Sequence, residues 1–218
     1  MQANNGFYAE KMRELTKKEG VYLINLMASP GAGKTSVICR IIDALSEKYR
    51  IGVLEADMDD DVDSRTVFLH GAEVVQLHTG TSCHMDAKMT LEGINMLKKP
   101  LPDIVILENV GNLVCPAEFD VGADMRLMIL SVPEGDDKPL KYPLMFTVSD
   151  CMLINKTDTA PVFDFDFARC EKNVRDLNPN IGIFPVSAKT GEGMEAFCVS
   201  LDKTVSDALE KKRNGAEK

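Results

Sequence analysis

The sequence has no apolar segment long enough to cross a membrane as a helix. Such a helix needs about 18 consecutive apolar residues, and no run in the chain approaches that length. Residues Met1–Glu10 also lack the basic start and the apolar stretch of a secretory signal peptide. We therefore expect a cytoplasmic protein that makes no membrane contact.

Closely spaced cysteine pairs are missing as well. The chain has six cysteines, none of them in a CxxC arrangement, at positions 39, 83, 115, 151, 170 and 198. Cysteines so scattered give no support to a disulfide framework, so we expect reduced thiols. Histidines 70 and 78 have no matching ligands nearby and predict surface or helix-end positions. Four cysteines fall in predicted helices or strands and are expected to pack in the core: Cys39, Cys151, Cys170 and Cys198.

An excess of basic residues is absent too. Lysine and arginine number 25 against 34 aspartates and glutamates, which gives a formal charge of −9. This balance argues against broad attraction to nucleic acid. The chain also shows no internal repeat, low-complexity tract or Gly/Ser linker, so we predict a single domain over residues 1–218. Within it we expect a helical lead over residues 1–20 and a frayed tail over residues 212–218.

Short apolar runs alternate with amphipathic segments of helical length. The runs predict buried strands at Val21–Met27, Ile51–Leu54, Glu73–Leu77, Ile104–Leu107, Leu127–Val132, Met152–Ile154 and Ile181–Val186. The amphipathic segments predict helices at Ser36–Lys48, Met85–Lys98, Phe165–Leu177 and Met194–Lys211. Such alternation indicates a mostly parallel sheet with helices on both faces, because right-handed crossovers place the helices there. The predicted fold class is therefore α/β, a three-layer sandwich.

A glycine-rich turn with the Walker A layout, Ala28–Thr35, follows the first predicted strand. In such a loop backbone N–H groups surround phosphate oxygens, Lys34 neutralises their charge and the Thr35 hydroxyl binds Mg²⁺. The alternative is a turn without a ligand, but the position between a buried strand and an amphipathic helix favours phosphate. We therefore predict a P-loop NTPase whose phosphate contacts come from Pro30, Gly31, Ala32, Gly33, Lys34, Thr35 and Ser36.

Base-recognition motifs follow two later strands. The tetrapeptide Asn155–Asp158 reads Asn-Lys-Thr-Asp at the end of an apolar strand, where ligands of open α/β sheets bind. The Asp158 carboxylate can accept two hydrogen bonds from guanine, a donor pair that adenine does not present. Asn155 is expected to brace the loop, and Lys156 to pack along the base. After the last strand we expect a further guanine contact, from the Ala188 N–H to O6, in the segment Ser187, Ala188 and Lys189.

Acidic residues at two further strand ends complete the predicted Mg²⁺ and γ-phosphate region. Asp57 ends the second strand, and Glu108 ends the fourth where GTPases carry DxxG. Either carboxylate can hold Mg²⁺ directly or through water. Gly111 can pass its N–H to the γ-phosphate and so sense hydrolysis. Lys34, Thr35, Asp57 and Glu108 are therefore the predicted catalytic residues.

Four segments of the chain resemble one GTPase family closely. They are residues 29–35, 79–87, 108–120 and 134–143. These segments resemble the nickel-incorporation GTPases of hydrogenase maturation, the HypB family, and the similarity extends from about Phe7 to the last helix. The resemblance implies a GTPase of the SIMIBI class that dimerises with GTP. It also implies delivery of nickel to the large subunit of a nickel–iron hydrogenase, alongside a HypA-type metallochaperone.

The residues support a metal site independently. Cys83 and His84 are adjacent on a strand-to-helix loop, and Cys115 lies on the segment that should move with the γ-phosphate. Thiolate and imidazole together suit Ni²⁺ or Zn²⁺. Because three such ligands leave a four-coordinate site incomplete, we expect a site shared across a two-fold, nucleotide-dependent homodimer. The alternative is that both cysteines are small packed residues and His84 is a hydrogen-bonding loop residue.

Three details qualify the resemblance. Some family members carry an N-terminal cysteine motif or histidine-rich stretch, whereas residues 1–20 here contain neither Cys nor His, so we expect no nickel storage there. By resemblance, Lys141 reaches the partner's nucleotide; the alternative is an exposed loop lysine. No glutamine suited to positioning water follows Gly111, so we expect slow turnover, with Asp57 or Glu108 orienting the water.

Three rival functions remain. The first is a urease nickel GTPase, whose expected metal motif is Cys-Pro-His; here His84 follows Cys83 and Pro116 follows Cys115, which favours the hydrogenase interpretation. The second is a signalling GTPase without a metal role, which should bind no thiolate-coordinated metal. The third is a partitioning or assembly ATPase of the same fold, against which the guanine motif at residues 155–158 argues.

Overall fold

A single parallel sheet organises the chain. In a computed structural model, which describes residues 2–57, 62–80 and 82–216, the strands follow the order β3-β2-β4-β1-β5-β6-β7, and all neighbours run parallel. The strands are β1 (Tyr22–Ala28), β2 (Ile51–Asp57), β3 (Glu73–His78), β4 (Ile104–Glu108), β5 (Met125–Ser131), β6 (Cys151–Asn155) and β7 (Gly182–Pro185).

Helices cover both faces of this sheet. They are α1 (Gln2–Glu19), α2 (Lys34–Leu45), α3 (Val62–Leu69), α4 (Ala87–Met96), α5 (Cys115–Glu118), α6 (Lys138–Lys141), α7 (Pro143–Val148), α8 (Phe167–Leu177) and α9 (Met194–Ala216). Short 3₁₀ turns occupy residues 132–134 and 157–159. Within the described ranges, no helix is long and apolar enough to span a bilayer.

Strand β1 lies at the centre and is buried over its whole length. Its alternate side chains serve different layers: Ile24 and Leu26 pack in a cluster with α2 and α9, whereas Leu23 packs in a second cluster with α1 and α4. In a third cluster, residues of α7 and α8 pack with Met27 of β1 and Met128 of β5. The predicted three-layer α/β sandwich is thereby confirmed.

Every predicted strand and helix is present, and the structure adds helices that were not predicted. Helices α3, α5, α6 and α7 were not predicted because four to eight residues span little more than two turns at most, too few to show a period. Helix α9 runs to Ala216 and so includes most of the segment we expected to fray. The Lys212 ammonium holds this end in place, because it donates to the Val21 carbonyl at 2.6 Å and to Asp124 at 2.7 Å.

The cysteines and histidines outside the candidate sites lie where we expected them. His70 is half exposed after the end of α3, with Nδ1 2.6 Å from Asp43 Oδ1, and His78 is exposed at the end of β3. The four cysteines predicted to pack are buried: Cys39, Cys151, Cys170 and Cys198.

The first helix begins close to the carboxyl edge of the sheet. The Asn5 side chain accepts a hydrogen bond from the Ala87 N–H at 2.9 Å, at the start of α4, and donates to the Asp120 carbonyl at 2.8 Å. The last helix, by contrast, ends near Val21, which precedes β1 at the amino edge. The start of α1 and the end of α9 therefore lie at opposite edges of the sheet.

Parallel strands bring all their carboxyl ends to one edge, and this explains why motifs far apart in sequence meet. The register places Glu108 beside both Leu26 of β1 and Glu55 of β2. It places Asn155 beside Ser131. The glycine-rich loop, the acidic strand ends and the guanine motif therefore form one continuous margin.

Candidate functional site

The glycine-rich loop has the backbone of a phosphate cradle. Gly31 and Gly33 adopt left-handed conformations, with φ of 71° and 98°. Helix α2 starts at Lys34, and its N-cap, Gly33, offers no side-chain hydrogen bond to the first N–H groups. These N–H groups and the positive end of the helix dipole therefore face the position that a phosphate takes in such loops.

The cradle is held by the guanine motif. The Asn155 side chain, which is buried, donates to the Ala32 carbonyl at 2.9 Å, and the Lys156 ammonium donates to the Gly31 carbonyl at 2.6 Å. A Cβ added at Gly33 would lie 2.5 Å from Asn155 Nδ2, whereas one added at Gly31 would meet nothing within 4 Å. Asn155 braces the loop as expected, while the Lys156 head group contacts the phosphate loop.

Gly33→Ala is therefore expected to weaken GDP binding by about tenfold to a hundredfold relative to Gly31→Ala. Both variants place alanine in a left-handed conformation, at a similar cost of about 1–3 kcal/mol. Only Gly33→Ala displaces Asn155 and its two hydrogen bonds, at about 0.5–1.5 kcal/mol each. Titration of a fluorescent GDP analogue measures the difference. Equal affinities would show that the contact between these loops does not support binding.

The guanine motif is assembled from two strand ends. The Ser187 hydroxyl donates to Asp158 Oδ1 at 2.7 Å, and the Thr190 N–H donates to the same hydroxyl at 3.2 Å. The Asp158 carboxylate is thereby oriented while one oxygen keeps room for a base. The Ala188 N–H, which we expected to contact guanine O6, donates here to Asn155 Oδ1 at 3.0 Å.

Arg40 is a residue of this region that the sequence did not reveal. Its Nε donates to the Ala188 carbonyl at 2.8 Å, and one terminal nitrogen donates to the Lys189 carbonyl at 3.0 Å. Arg40 lies on α2, which begins at the phosphate loop. It therefore connects the helix that carries Lys34 to the loop that approaches the base. No local pattern marks such a contact between residues so far apart in sequence.

Hard oxygen ligands gather beside the phosphate loop. The Thr35 hydroxyl donates to Glu108 Oε1 at 3.3 Å. Glu108 is 8% exposed and Glu55, its register partner on β2, is 5% exposed. A hydroxyl and two buried carboxylates form a donor set that fits Mg²⁺. Glu55 is an addition to the predicted set; the side chain of Asp57, at the end of β2, lies outside the described residues.

The segment after Glu108 packs directly on the phosphate loop. A Cβ added at Gly111 would lie 2.9 Å from the Pro30 backbone nitrogen, so only glycine allows this approach. The Asn112 N–H donates to the Ala28 carbonyl at 2.8 Å. A change at the phosphate loop can therefore reach the residues that follow Gly111.

The same segment ends at a cluster of soft ligands. Cys83, His84 and Cys115 place their ligand atoms within 4.8 Å of one another, the one such group found among the described residues. The two sulfur atoms are 2.8 Å apart, and Cys83 Sγ is 3.7 Å from His84 Nδ1. Cys83 is exposed and Cys115 half-buried, so the cluster lies at the surface. This exposure argues against the alternative in which both cysteines are buried packing residues.

The surroundings of His84 and Cys115 shift the pKa of each group. Burial lowers the pKa of His84, against the opposing effect of Asp86 and Glu118, so the neutral imidazole that binds metals is favoured. Its ring stacks on Phe119 with the centroids 3.9 Å apart. The hydrogen bond to the Cys83 thiol, followed by burial, raises the pKa of Cys115. A bound metal therefore displaces a thiol proton.

Lys141 lies on the surface of α6. Its ammonium is 2.5 Å from Asp137 Oδ2, and its side chain is 59% exposed. In a single copy of the chain, Lys141 therefore pairs with its own helix. An exposed position of this kind is compatible with either expectation, a contact to a partner's nucleotide or an ordinary surface lysine.

Comparison with known proteins identifies the family. Residues 22–185 match the family model described as CobW/HypB/UreG, nucleotide-binding domain. The chain is 42% identical over 200 residues to a hydrogenase maturation factor HypB of Rhizobium leguminosarum bv. viciae, covering 92% of this chain and 67% of that protein. It is 38% identical over 215 residues to a hydrogenase/urease maturation factor HypB of Helicobacter pylori, covering 97% and 85%.

Comparison with solved structures gives the same family. The crystal structure of Helicobacter pylori HypB in complex with nickel superposes with a TM-score of 0.87 at 37% identity, covering 98% of this chain and 97% of that one. The receptor FtsY of Elizabethkingia anophelis, solved with GDP, is 14% identical with a TM-score of 0.55, covering 80% and 58%, and so shares the fold alone. The predicted SIMIBI-type fold is thus confirmed.

The chain spans about two thirds of the length of the first curated relatives that it matches. The match nevertheless includes the glycine-rich loop, the acidic strand ends, the soft-ligand cluster and the Asn-Lys-Thr-Asp motif at residues 155–158, all of which fall within residues 22–185. The chain belongs to the CobW/HypB/UreG family of nucleotide-binding proteins, and within it to the HypB group.

Proposed function

We propose that this protein is a GTPase that binds nickel as cargo and uses its nucleotide state to control that binding. The observation that carries the proposal is the segment Glu108–Cys115. Its first residue lies 3.3 Å from the Thr35 hydroxyl of the phosphate loop, and its last lies 2.8 Å, sulfur to sulfur, from Cys83. One short segment therefore contacts both sites.

Hydrolysis follows from the groups around the phosphate loop. Lys34 and the first N–H groups of α2 stabilise the negative charge that develops on the phosphate oxygens. Mg²⁺, when bound, supplies further charge neutralisation at the β- and γ-phosphates. Thr35, Glu108 and Glu55 would hold it, together with Asp57. The same carboxylates are the candidates for orienting the attacking water, which is consistent with slow turnover.

The cargo and the client follow from the soft ligands and from the relatives. Nickel is bound in the structure of Helicobacter pylori HypB, and curated relatives are named as hydrogenase maturation factors. We propose that this protein delivers nickel, in the cytoplasm, to the large subunit of a nickel–iron hydrogenase, with a HypA-type metallochaperone. Cys83, His84 and Cys115 supply three ligands, so two copies joined with GTP would complete the coordination. Zn²⁺ suits the same ligands.

The test is to measure nickel affinity and oligomer mass in the same samples, loaded with GDP or with a non-hydrolysable GTP analogue and Mg²⁺. We expect affinities that differ by about 5- to 150-fold, the usual range of coupling between sites. We also expect a dimer mass only with the triphosphate. A non-hydrolysable ATP analogue serves as the control and should behave as no nucleotide. Equal nickel affinities with GDP and the GTP analogue would remove the proposed control.

Urease is a second candidate client, because the Helicobacter pylori relative is named as a hydrogenase/urease maturation factor. The two clients are distinguished by supplying the nickel-loaded protein to apo-hydrogenase and to apo-urease in parallel. Activation of urease alone would favour the second client. A signalling role without metal is disfavoured by the exposed cluster of Cys83, His84 and Cys115.

A further inference from the structure

A buried asparagine connects the nucleotide margin to the loop that carries the soft ligands. Asn109 follows Glu108 directly and is 1% exposed. Its N–H donates to the Leu26 carbonyl at 3.0 Å, so its backbone contacts β1 two residues before the glycine-rich turn begins. Its side-chain oxygen accepts from the Met85 N–H at 2.9 Å. Met85 is the residue after Cys83 and His84, so Asn109 positions their loop.

The side-chain amide of Asn109 is also hydrogen-bonded to a side chain of the central strand. Its Nδ2 donates to Asn25 Oδ1 at 3.0 Å, and Asn25, on β1, is buried as well. Its Oδ1 accepts a second hydrogen bond, from the Val110 N–H at 2.9 Å. Because burial excludes water, rotation of this amide would leave backbone N–H groups without partners. The side chain therefore moves with its own backbone and carries the Met85 loop along.

A second asparagine acts more locally. The Asn112 side-chain oxygen accepts from the N–H groups of Val114 and Cys115, at 2.7 and 3.3 Å, and its nitrogen donates to the Cys83 carbonyl at 3.4 Å. Asn112 thereby connects the two cysteines with each other. Asn109, in contrast, connects the ligand loop with the strand end that bears Glu108. The two side chains allow local support of the cluster to be separated from its link to the nucleotide.

We propose that Asn109 is the positioning residue through which the nucleotide state sets the geometry of Cys83 and His84 relative to Cys115. This inference rests on the proposed function, because it assigns the route of the control described above. A shift of Glu108 towards or away from the phosphate loop displaces Asn109, and the hydrogen bond to Met85 transmits that displacement to the ligands. The route runs through the hydrogen bond from Thr35 to Glu108, the peptide bond to Asn109 and the buried hydrogen bond from Met85, a contiguous set of contacts of the kind that can carry coupling between sites.

The decisive measurement is the ratio of nickel affinities with GDP and with a non-hydrolysable GTP analogue, in wild type and in Asn109→Ala. Loss of the Asn109 side chain should bring this ratio to within about twofold of one, whereas wild type keeps the coupling. Asn112→Ala should weaken nickel binding about 10- to 100-fold with both nucleotides, as loss of a supporting contact to a metal ligand does, and so preserve the ratio.

The matched control is Asn178→Ala. The Asn178 amide also joins loops, through the carbonyls of Phe146, Thr147 and Ser149, but at the opposite edge of the sheet. It should keep the wild-type ratio. The sulfur-to-nickel charge-transfer spectrum reports the ligand geometry independently of any activity.

The outcomes separate the two proposals. If wild type shows no nucleotide dependence of nickel affinity, the proposed function fails and this inference fails with it. If wild type is coupled and Asn109→Ala keeps the same ratio, only the inference is overturned. If Asn109→Ala does not fold, Asn25→Ala serves instead, because it removes the oxygen that accepts from Asn109 Nδ2. An unchanged ratio of nickel affinities in Asn25→Ala would also overturn the inference.

Discussion

Replacing Asp158 by asparagine is expected to lower GDP affinity by roughly 100- to 10,000-fold and to raise the affinity for xanthosine diphosphate. The carboxylate can accept two hydrogen bonds from guanine, and bonds to charged groups contribute about 1.5–3 kcal/mol each. Xanthine carries a carbonyl where guanine carries its exocyclic amine, so the new amide can donate to it. Competition between the two diphosphates for a fluorescent nucleotide measures the exchange of preference.

Two features make this substitution informative. The asparagine oxygen can still accept from the Ser187 hydroxyl, which lies 2.7 Å from Asp158 Oδ1, so the loop should keep its shape. Asp176→Asn provides the control, because Asp176 is an exposed carboxylate paired with Lys172 on α8, and it should leave GDP affinity unchanged. Retention of guanine preference by Asp158→Asn would place the base elsewhere on the protein.

Cys115→Ala is expected to weaken nickel binding by roughly 100-fold or more. A four-ligand structural zinc site contributes about 10–16 kcal/mol, so each ligand carries several kcal/mol. The Cys115 sulfur lies 2.8 Å from that of Cys83, so its loss opens the cluster. Competition with a chelator of known affinity measures the change, and the sulfur-to-nickel charge-transfer band should weaken in parallel.

The matched control for the thiol is Cys198→Ala. Burial on α9 raises the pKa of Cys198 to about 11, so this thiol stays protonated at neutral pH and is a poor ligand. Its removal should leave nickel affinity unchanged. If both cysteine variants bind nickel as wild type does, the metal site lies away from the cluster that contains Cys83 and Cys115.

Local patterns predicted the layers and the place of the sites well. The apolar run Val21–Met27 and the segment Ser36–Lys48 were predicted to within a few residues of β1 and α2. Parallel strands end at one edge, so the motifs that follow them had to meet there. Cys83 and Cys115 are separated by α4 and β4, and their proximity followed from the same rule.

Contacts made through tertiary packing were not predictable in this way. Nothing in the sequence around Arg40 indicates that it reaches the carbonyls of Ala188 and Lys189. The role of Asn109 was also hidden, because an asparagine after a strand is common and its partner Met85 donates through the backbone. The engagement of the Ala188 N–H by Asn155 depends on the packing of two loops that are distant in sequence.

The positions of the start of α1 and the end of α9 bear on where an affinity tag should be attached. Asn5, in the first turns of α1, accepts from the N–H at the start of α4, only a few residues from His84, so an affinity tag joined ahead of α1 would be attached near the soft-ligand cluster. A polyhistidine tag there would compete for the same nickel. A tag joined behind α9 would follow a helix whose Lys212 donates to the Val21 carbonyl at the far edge, so metal titrations should use a tag without histidines, placed behind α9.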